Sequence, residues 1–371
     1  MKKFINIAIF ILFIGGLSFV NLLKKDVAFS DFENRPLTQL PKLTIEKLID
    51  GKFTEQFETY MTDQFFGKTF WTGLKAKAEQ SVFKQENNGV YFGQANMLFE
   101  KPDELSAQLK KNIDSINQFQ EKNKAFPITF VLAPTSIDLY PDNLPPYAKT
   151  GMHKEIMEIT LDELNDDTRL VDPFELLKKK KDEPIYFRTD HHWTTLGAFY
   201  TYQAIAKKMD LNAYQFEDFN IERVSDKFYG TFYAKGNDHS IPPDIIDIFK
   251  PKKEMHYEVE ADNQPLLEGL YDENFLDKRD QYAYFLGGNH AKTIIKSNVQ
   301  NGKKLLLIKD SYAHAIAPFF ANHFEEIHML DLRYYHASVQ QYIQENELTE
   351  GLILYNSPNF AKDNSVLYLK Y

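Results

Sequence analysis

The chain has 371 residues and a formal net charge of −10 at pH 7, a balance that excludes a nucleic-acid binder, which would carry a basic face or stripe. Hydrophobic residues make up 43% and aromatic residues 15%, enough for a sizeable core, so disorder is excluded for most of the length. With no cysteine, the chain can form no disulfide, thiolate metal site, cysteine nucleophile or lipidated cysteine anchor.

In chain order, Lys2 and Lys3 precede an apolar run over residues 4–23, and Lys24 and Lys25 follow it. About 20 apolar residues in a helix span a bilayer core. Val27-Ala28-Phe29 is a poor cleavage site, so residues 1–25 are expected to be an uncleaved anchor, with secretion the outcome if the segment is cleaved. Lysines on both flanks blunt the charge asymmetry; the short basic N-terminus is expected inside and the bulk of the chain outside the cytoplasmic membrane.

Residues 26–90 read as a lead-in arm. Asp31-Phe32-Glu33-Asn34-Arg35-Pro36 is turn-rich, and short amphipathic helices are predicted over 44–49 and 53–61, with Phe53, Phe57, Tyr60 and Met61 at helical spacing. Asn88-Gly89 marks a turn and Val90-Tyr91-Phe92 a strand.

Residues 91–371 form the main domain. Leu105, Leu109, Ile113, Ile116 and Phe119 predict a helix, followed by a strand over 128–133. A helix with Ile156, Ile159 and Leu164 leads to a strand over 169–171. The basic run over 178–181 reads as a solvated helix end. Thr189-Asp190-His191-His192-Trp193-Thr194 opens another helix, with Thr194 or Thr195 as its N-cap. Prolines 242, 243, 251 and 265 punctuate 211–300, read as an insertion containing a tight turn at Gly287-Gly288-Asn289-His290. Alternation resumes with strands over 303–308, 327–330 and 352–355 and a helix over 339–346. Strands alternating with helices predict an α/β fold with a mostly parallel sheet, whose ligands bind at the carboxyl ends of the strands. Asp190, Ser311, Asp331 and Asn356 all stand at such ends.

Ser311 follows an apolar strand and precedes a helix, where its hydroxyl can project beside free N–H groups. Alone, Asp-Ser at that place is a helix cap. Asp190, two residues before His192, can reach its Nδ1 and leave Nε2 free to take a proton from a serine. The same cluster also reads as a hydrogen-bonded core histidine with a capping aspartate, or as metal ligands Asp190, His191 and His192.

Residues 189–195 with Lys309-Asp310-Ser311-Tyr312-Ala313 resemble the Asp-His-His-Trp proteins of Gram-positive bacteria, which are similar to the alginate O-acetyltransferases. The resemblance implies an SGNH-hydrolase-like domain with circularly permuted elements, in which the strands ending at Ser311, Asp331 and Asn356 stand for the first three strands of an ordinary SGNH enzyme. It implies a Ser311–His192–Asp190 triad without cofactor, an oxyanion held by Ser311 N–H and Asn356, a surface-polysaccharide acceptor and a membrane-bound acyltransferase as acyl-donor partner. Lys309 replaces the usual glycine, and no glycine follows the 327–330 strand, so Gly287 or Gly288 is the substitute donor to consider. Trp193 and Tyr312 adjoin the two motif blocks and are candidates to stack on sugar rings. Rival readings are a carbohydrate esterase with the same triad, a non-catalytic polysaccharide-binding or assembly protein, and a metal phosphoesterase.

Overall fold

The computed structural model describes residues 2–370 apart from 31, 34 and 151, with side chains from residue 4 onward, so Asp31 and Asn34 of the turn-rich stretch lie outside the described residues. The chain divides into two compact units: Met1–Asn87 with Asn237–Ser240, and Asn88–Gly236 with Ile241–Tyr371.

In the smaller unit, α1 (Lys2–Leu23) contains a 20-residue stretch, Phe4–Leu23, long and apolar enough to cross a membrane. Three helices follow, α2 (Ile45–Ile49), α3 (Lys52–Asp63) and α4 (Lys68–Ser81), and Thr44 caps α2 through Lys47 N–H. A polar knot holds them. Asp63 accepts from Arg35 at 2.6 Å, Thr38 N–H at 2.9 Å and Lys68 at 3.1 Å. The Arg35 hydrogen bond, above the other donors, outweighs burial and holds its carboxyl well below the usual carboxylate range.

The larger unit opens with a hairpin of β1 (Val90–Phe92) and β2 (Leu98–Glu100). Its main sheet uses β3 (Ile128–Ala133) and β4 (Arg169–Val171). A separate antiparallel ribbon pairs β5 (Phe219–Phe228) with β6 (Asp244–Pro251). The sheet continues with β7 (Tyr257–Ala261), β8 (Leu267–Glu268), β9 (Lys292–Ser297), β10 (Lys304–Lys309), β11 (Glu326–Leu330) and β12 (Glu350–Asn356). The spatial order is β8-β7-β9-β11-β10-β12-β3-β4.

Strands β11, β10, β12, β3 and β4 pair in parallel, whereas β8, β7, β9 and β11 join antiparallel. The sheet is therefore mixed rather than mostly parallel. Residues 257–297 read as a break in the alternation because antiparallel strands need no crossover helix, yet they supply three strands of the same sheet.

Alternate residues of β10 face opposite cores. Leu305 and Leu307 pack with Phe199 of α5 (Thr195–Lys208) and Ile316 of α6 (Ala313–Phe320). Leu306 and Ile308 pack on the other face with Ile113 and Ile116 of the Gln108–Lys122 helix. Full burial of each such side chain contributes ~1.5–3 kcal/mol. Because both faces are covered, only the strand ends remain for a site.

Candidate active site

Ser311 lies between the end of β10 and the start of α6. Its side chain keeps partial exposure, and no residue accepts its backbone N–H among the described residues. His192 stands on the segment entering α5, which Thr194 caps through Gly197 N–H. His192 Nε2 lies 2.7 Å from Ser311 Oγ, and its Nδ1 lies 2.6 Å from Asp190 Oδ1. With the carboxylate accepting from Nδ1–H, the Nε2 lone pair faces the serine hydroxyl.

Asp190 is buried. His192 N–H donates to Oδ1 at 3.0 Å, and Thr231 N–H donates to Oδ2 at 2.7 Å. Burial opposes ionisation, but His191, His192 and these donors outweigh it and hold the carboxyl well below the usual range. Gly230 closes the cradle: a Cβ there would stand 2.1 Å from Asp190 Cβ and 2.4 Å from Oδ2. Thr189 fixes the turn from the other side, its N–H and hydroxyl donating to Asp244 at 2.8 and 2.6 Å.

Two rings contact the His192 ring. Tyr282 stacks on one side at 3.7 Å between centroids and 8°, and His191 lies 3.8 Å away at 37°. Burial, then repulsion from His192, pushes the His191 imidazole down to about 4. Asp190, His191 and His192 offer ligand atoms all within 4.8 Å of one another, which fits the donor set of a metal. A metal on His192 Nδ1 would have to displace the Asp190 hydrogen bond.

Of the remaining sequence candidates, Trp193, Tyr312 and Gly288 are placed differently from expectation. Trp193 and Tyr312 are both 0% exposed: the indole Nε1–H donates to Tyr312 O at 3.1 Å, the rings pack at 4.9 Å, and the Tyr312 hydroxyl donates to His191 O. Neither ring has a face open to a sugar, so the stacking expectation is corrected; both wedge the two motif blocks together. Gly288, at φ 94°, has its N–H taken up by Phe285 O at 3.3 Å. Asn356 donates one Nδ2 hydrogen to Asp310 at 2.8 Å, and its Oδ1 caps the last α-helix through Asn359 N–H.

A family model described as "DHHW protein" matches residues 112–330. The chain belongs to the DHHW family. The DHHW chain is 27% identical to the probable alginate O-acetylase AlgJ of Pseudomonas aeruginosa over 161 residues, 41% of each chain. Against the Azotobacter vinelandii protein of the same name, identity is 27% over 199 residues, 50% of this chain and 48% of that one. The matches thus span about half, or less, of those relatives. A DHHW family protein from Eubacterium siraeum superposes with TM-score 0.67 at 24% identity, covering 76% of this chain and 95% of that one. Bacillus cereus PatB1, solved with a sulfonyl adduct, gives 0.64 at 23%, covering 76% and 98%. These likenesses show a shared fold.

Tyr282, Gly230 and Thr231 went unnoticed in the sequence because they lie in the 211–300 stretch without periodicity. Asp310, read in the sequence only as part of the motif and of a helix cap, is buried and accepts from Tyr312 N–H, Asn356 N–H and the Asn356 and Asn359 side chains, tying the ends of β10 and β12 together. Burial raises its carboxyl above the usual value. A cleft of about 1010 Å³ is lined by Tyr140, Glu183, Tyr200, Phe216 and Arg223, and neither Ser311 nor His192 lines it.

Proposed function

We propose that this DHHW protein is an O-acetyltransferase for a cell-surface or extracellular polysaccharide, with Ser311 as nucleophile, His192 as general base and Asp190 as the acid that orients it. The observation carrying the reading is the continuous Asp190–His192–Ser311 hydrogen-bond chain, 2.6 and then 2.7 Å, at the end of a parallel strand. Curated relatives named as probable alginate O-acetylases support the acetyl-transfer chemistry and a polysaccharide acceptor.

In this mechanism Ser311 Oγ attacks the acyl carbonyl while His192 Nε2 takes its proton and then passes it to the leaving group. Asp190 holds the tautomer and balances the imidazolium. The oxyanion is met by Ser311 N–H and the second hydrogen of Asn356 Nδ2, whose direction Asp310 fixes. His192 then deprotonates a sugar hydroxyl, which takes the acetyl group from Ser311, and Nε2 returns that proton to the departing Ser311 Oγ. A membrane-bound acyltransferase would supply the donor, α1 would anchor the protein in the cytoplasmic membrane, and residues 91–371 would form the permuted SGNH-like catalytic domain.

A second reading, a carbohydrate esterase, is favoured by one observation: the buried Trp193 and Tyr312 remove two acceptor walls expected beside the serine. The discriminating experiment offers an activated acetyl ester to the wild type with and without surface-polymer oligosaccharides. Transfer predicts slow hydrolysis alone and added acetyl mass on an oligosaccharide; deacetylation of donors and acetylated fragments alike would replace it with the esterase.

A further inference from the structure

Soluble proteins expose large apolar residues mostly singly. The smaller unit departs from this. Over residues 24–87, fourteen large apolar side chains are exposed, among them Ile45, Ile49, Phe66, Phe70 and Leu74, against eight among the described residues of the much longer second unit. Ala76 is the one buried apolar residue of that stretch among the described residues, while Asp63 and Gln64 are buried. The unit is thus held by a polar knot and carries its apolar groups outside, the reverse of a water-facing domain.

Two contacts tie these groups to α1. Phe66 N–H donates to Asn21 Oδ1 at 2.8 Å, and the Phe13 and Trp71 rings meet edge-on at 6.1 Å. Asn21 and Phe13 lie about 12 Å apart along a helix axis. Residues 66–71 therefore run beside the C-terminal half of the apolar helix, none of whose described residues is buried. Whatever covers that half must also meet Phe66, Phe70 and Leu74. Over residues 35–84 eight basic and six acidic residues nearly balance, so attraction to an anionic surface is not what the segment is built for.

We propose that residues 40–83 are seated in the lipid leaflet that receives the Leu23 end of α1, with Ile49, Phe66, Phe70 and Leu74 at the boundary between headgroups and acyl chains. The occupant of this face is the bilayer, bound by apolar burial in the manner of an interfacial helix. The inference rests on α1 crossing the membrane, and its test separates the two claims.

The absence of native cysteine permits single-cysteine probes in the full chain. Phe10→Cys, Ile49→Cys, Phe70→Cys and, in the larger unit, Tyr334→Cys each replace an exposed side chain. Each variant would carry a polarity-sensitive fluorophore in vesicles of phosphatidylcholine alone, quenched by nitroxide lipid or by aqueous iodide. Labels at 10, 49 and 70 should be quenched by the lipid nitroxide and shielded from iodide, and the label at 334 should show the opposite. If 49 and 70 behave like 334 while 10 stays in lipid, the leaflet seat is overturned and the span stands, leaving another protein surface as the cover. If all four are open to iodide, the span and the seat fall together.

Discussion

The Tyr282 ring lies flat on the His192 imidazole, 3.7 Å between centroids and 8° from parallel. Its hydroxyl donates to the Ser311 backbone carbonyl at 3.3 Å, so one side chain contacts both the His192 ring and the main chain that carries Ser311. An aromatic face against an imidazole attracts it more strongly once it is protonated. Tyr282→Leu should lower kcat about tenfold or more with little change in KM, and Tyr282→Phe should retain most of the rate. A leucine variant as fast as wild type would remove the stack from the mechanism.

Gly230 gives a sharper probe of Asp190 than Asp190 itself. The added methyl of Gly230→Ala would meet Asp190 Cβ at 2.1 Å and must displace the carboxylate. A misplacement near 1 Å costs about 10²-fold in rate, so acyl turnover should fall by that order while Asp190→Asn falls by about 10²–10⁴ through the wrong tautomer. Steady-state kinetics on an activated acetyl ester checks both. Undiminished turnover in the alanine variant would show that the acid need not be held so closely.

Trp193 is assigned to packing. Trp193→Ala should destabilise the fold by ~3–5 kcal/mol, read as a lower urea midpoint. Were the indole a sugar platform, KM for the acceptor would rise while the midpoint stayed put.

Lys309 predicts a pH dependence. Its ammonium is buried against His314 at 2.8 Å, Asn289 at 3.2 Å and Asp331 at 3.3 Å, and burial pushes it down to about 8 from the ordinary 10.5. Between those values the unfolded chain holds the proton and the folded chain does not, so this group adds stability as pH rises through the window and adds none below about 8. The stability of wild type relative to Lys309→Met should therefore increase from pH 8 to pH 10. A difference that stays flat or shrinks would contradict the buried placement.

The strand ends that hold Ser311 and Asn356 were legible because apolar runs broken by polar turns mark them whatever the tertiary context, whereas Asp190, expected at a strand end, lies on an irregular segment before α5 that no strand leads into among the described residues. The Thr194 cap and the adjacency of Asp190 and His192 were legible for the same reason: they are local. The antiparallel half of the sheet was not, since β7 and β9 carry only short alternations amid prolines and turns. Tyr282, Gly230 and Thr231 act on residues 29 to 90 positions away, and nothing in their own neighbourhood records it. Trp193 and Tyr312 misled because adjacency to a motif does not reveal which way a ring points.

The most direct test of the Ser311 assignment is mass spectrometry of the protein quenched during turnover of an activated acetyl ester. The account predicts one acetyl group on the peptide containing Ser311 in wild type, none in Ser311→Ala, and a loss of turnover of about 10³-fold or more in that variant with the fold intact. Turnover of Ser311→Ala within a few-fold of wild type, or acetyl found only on other residues, would contradict it.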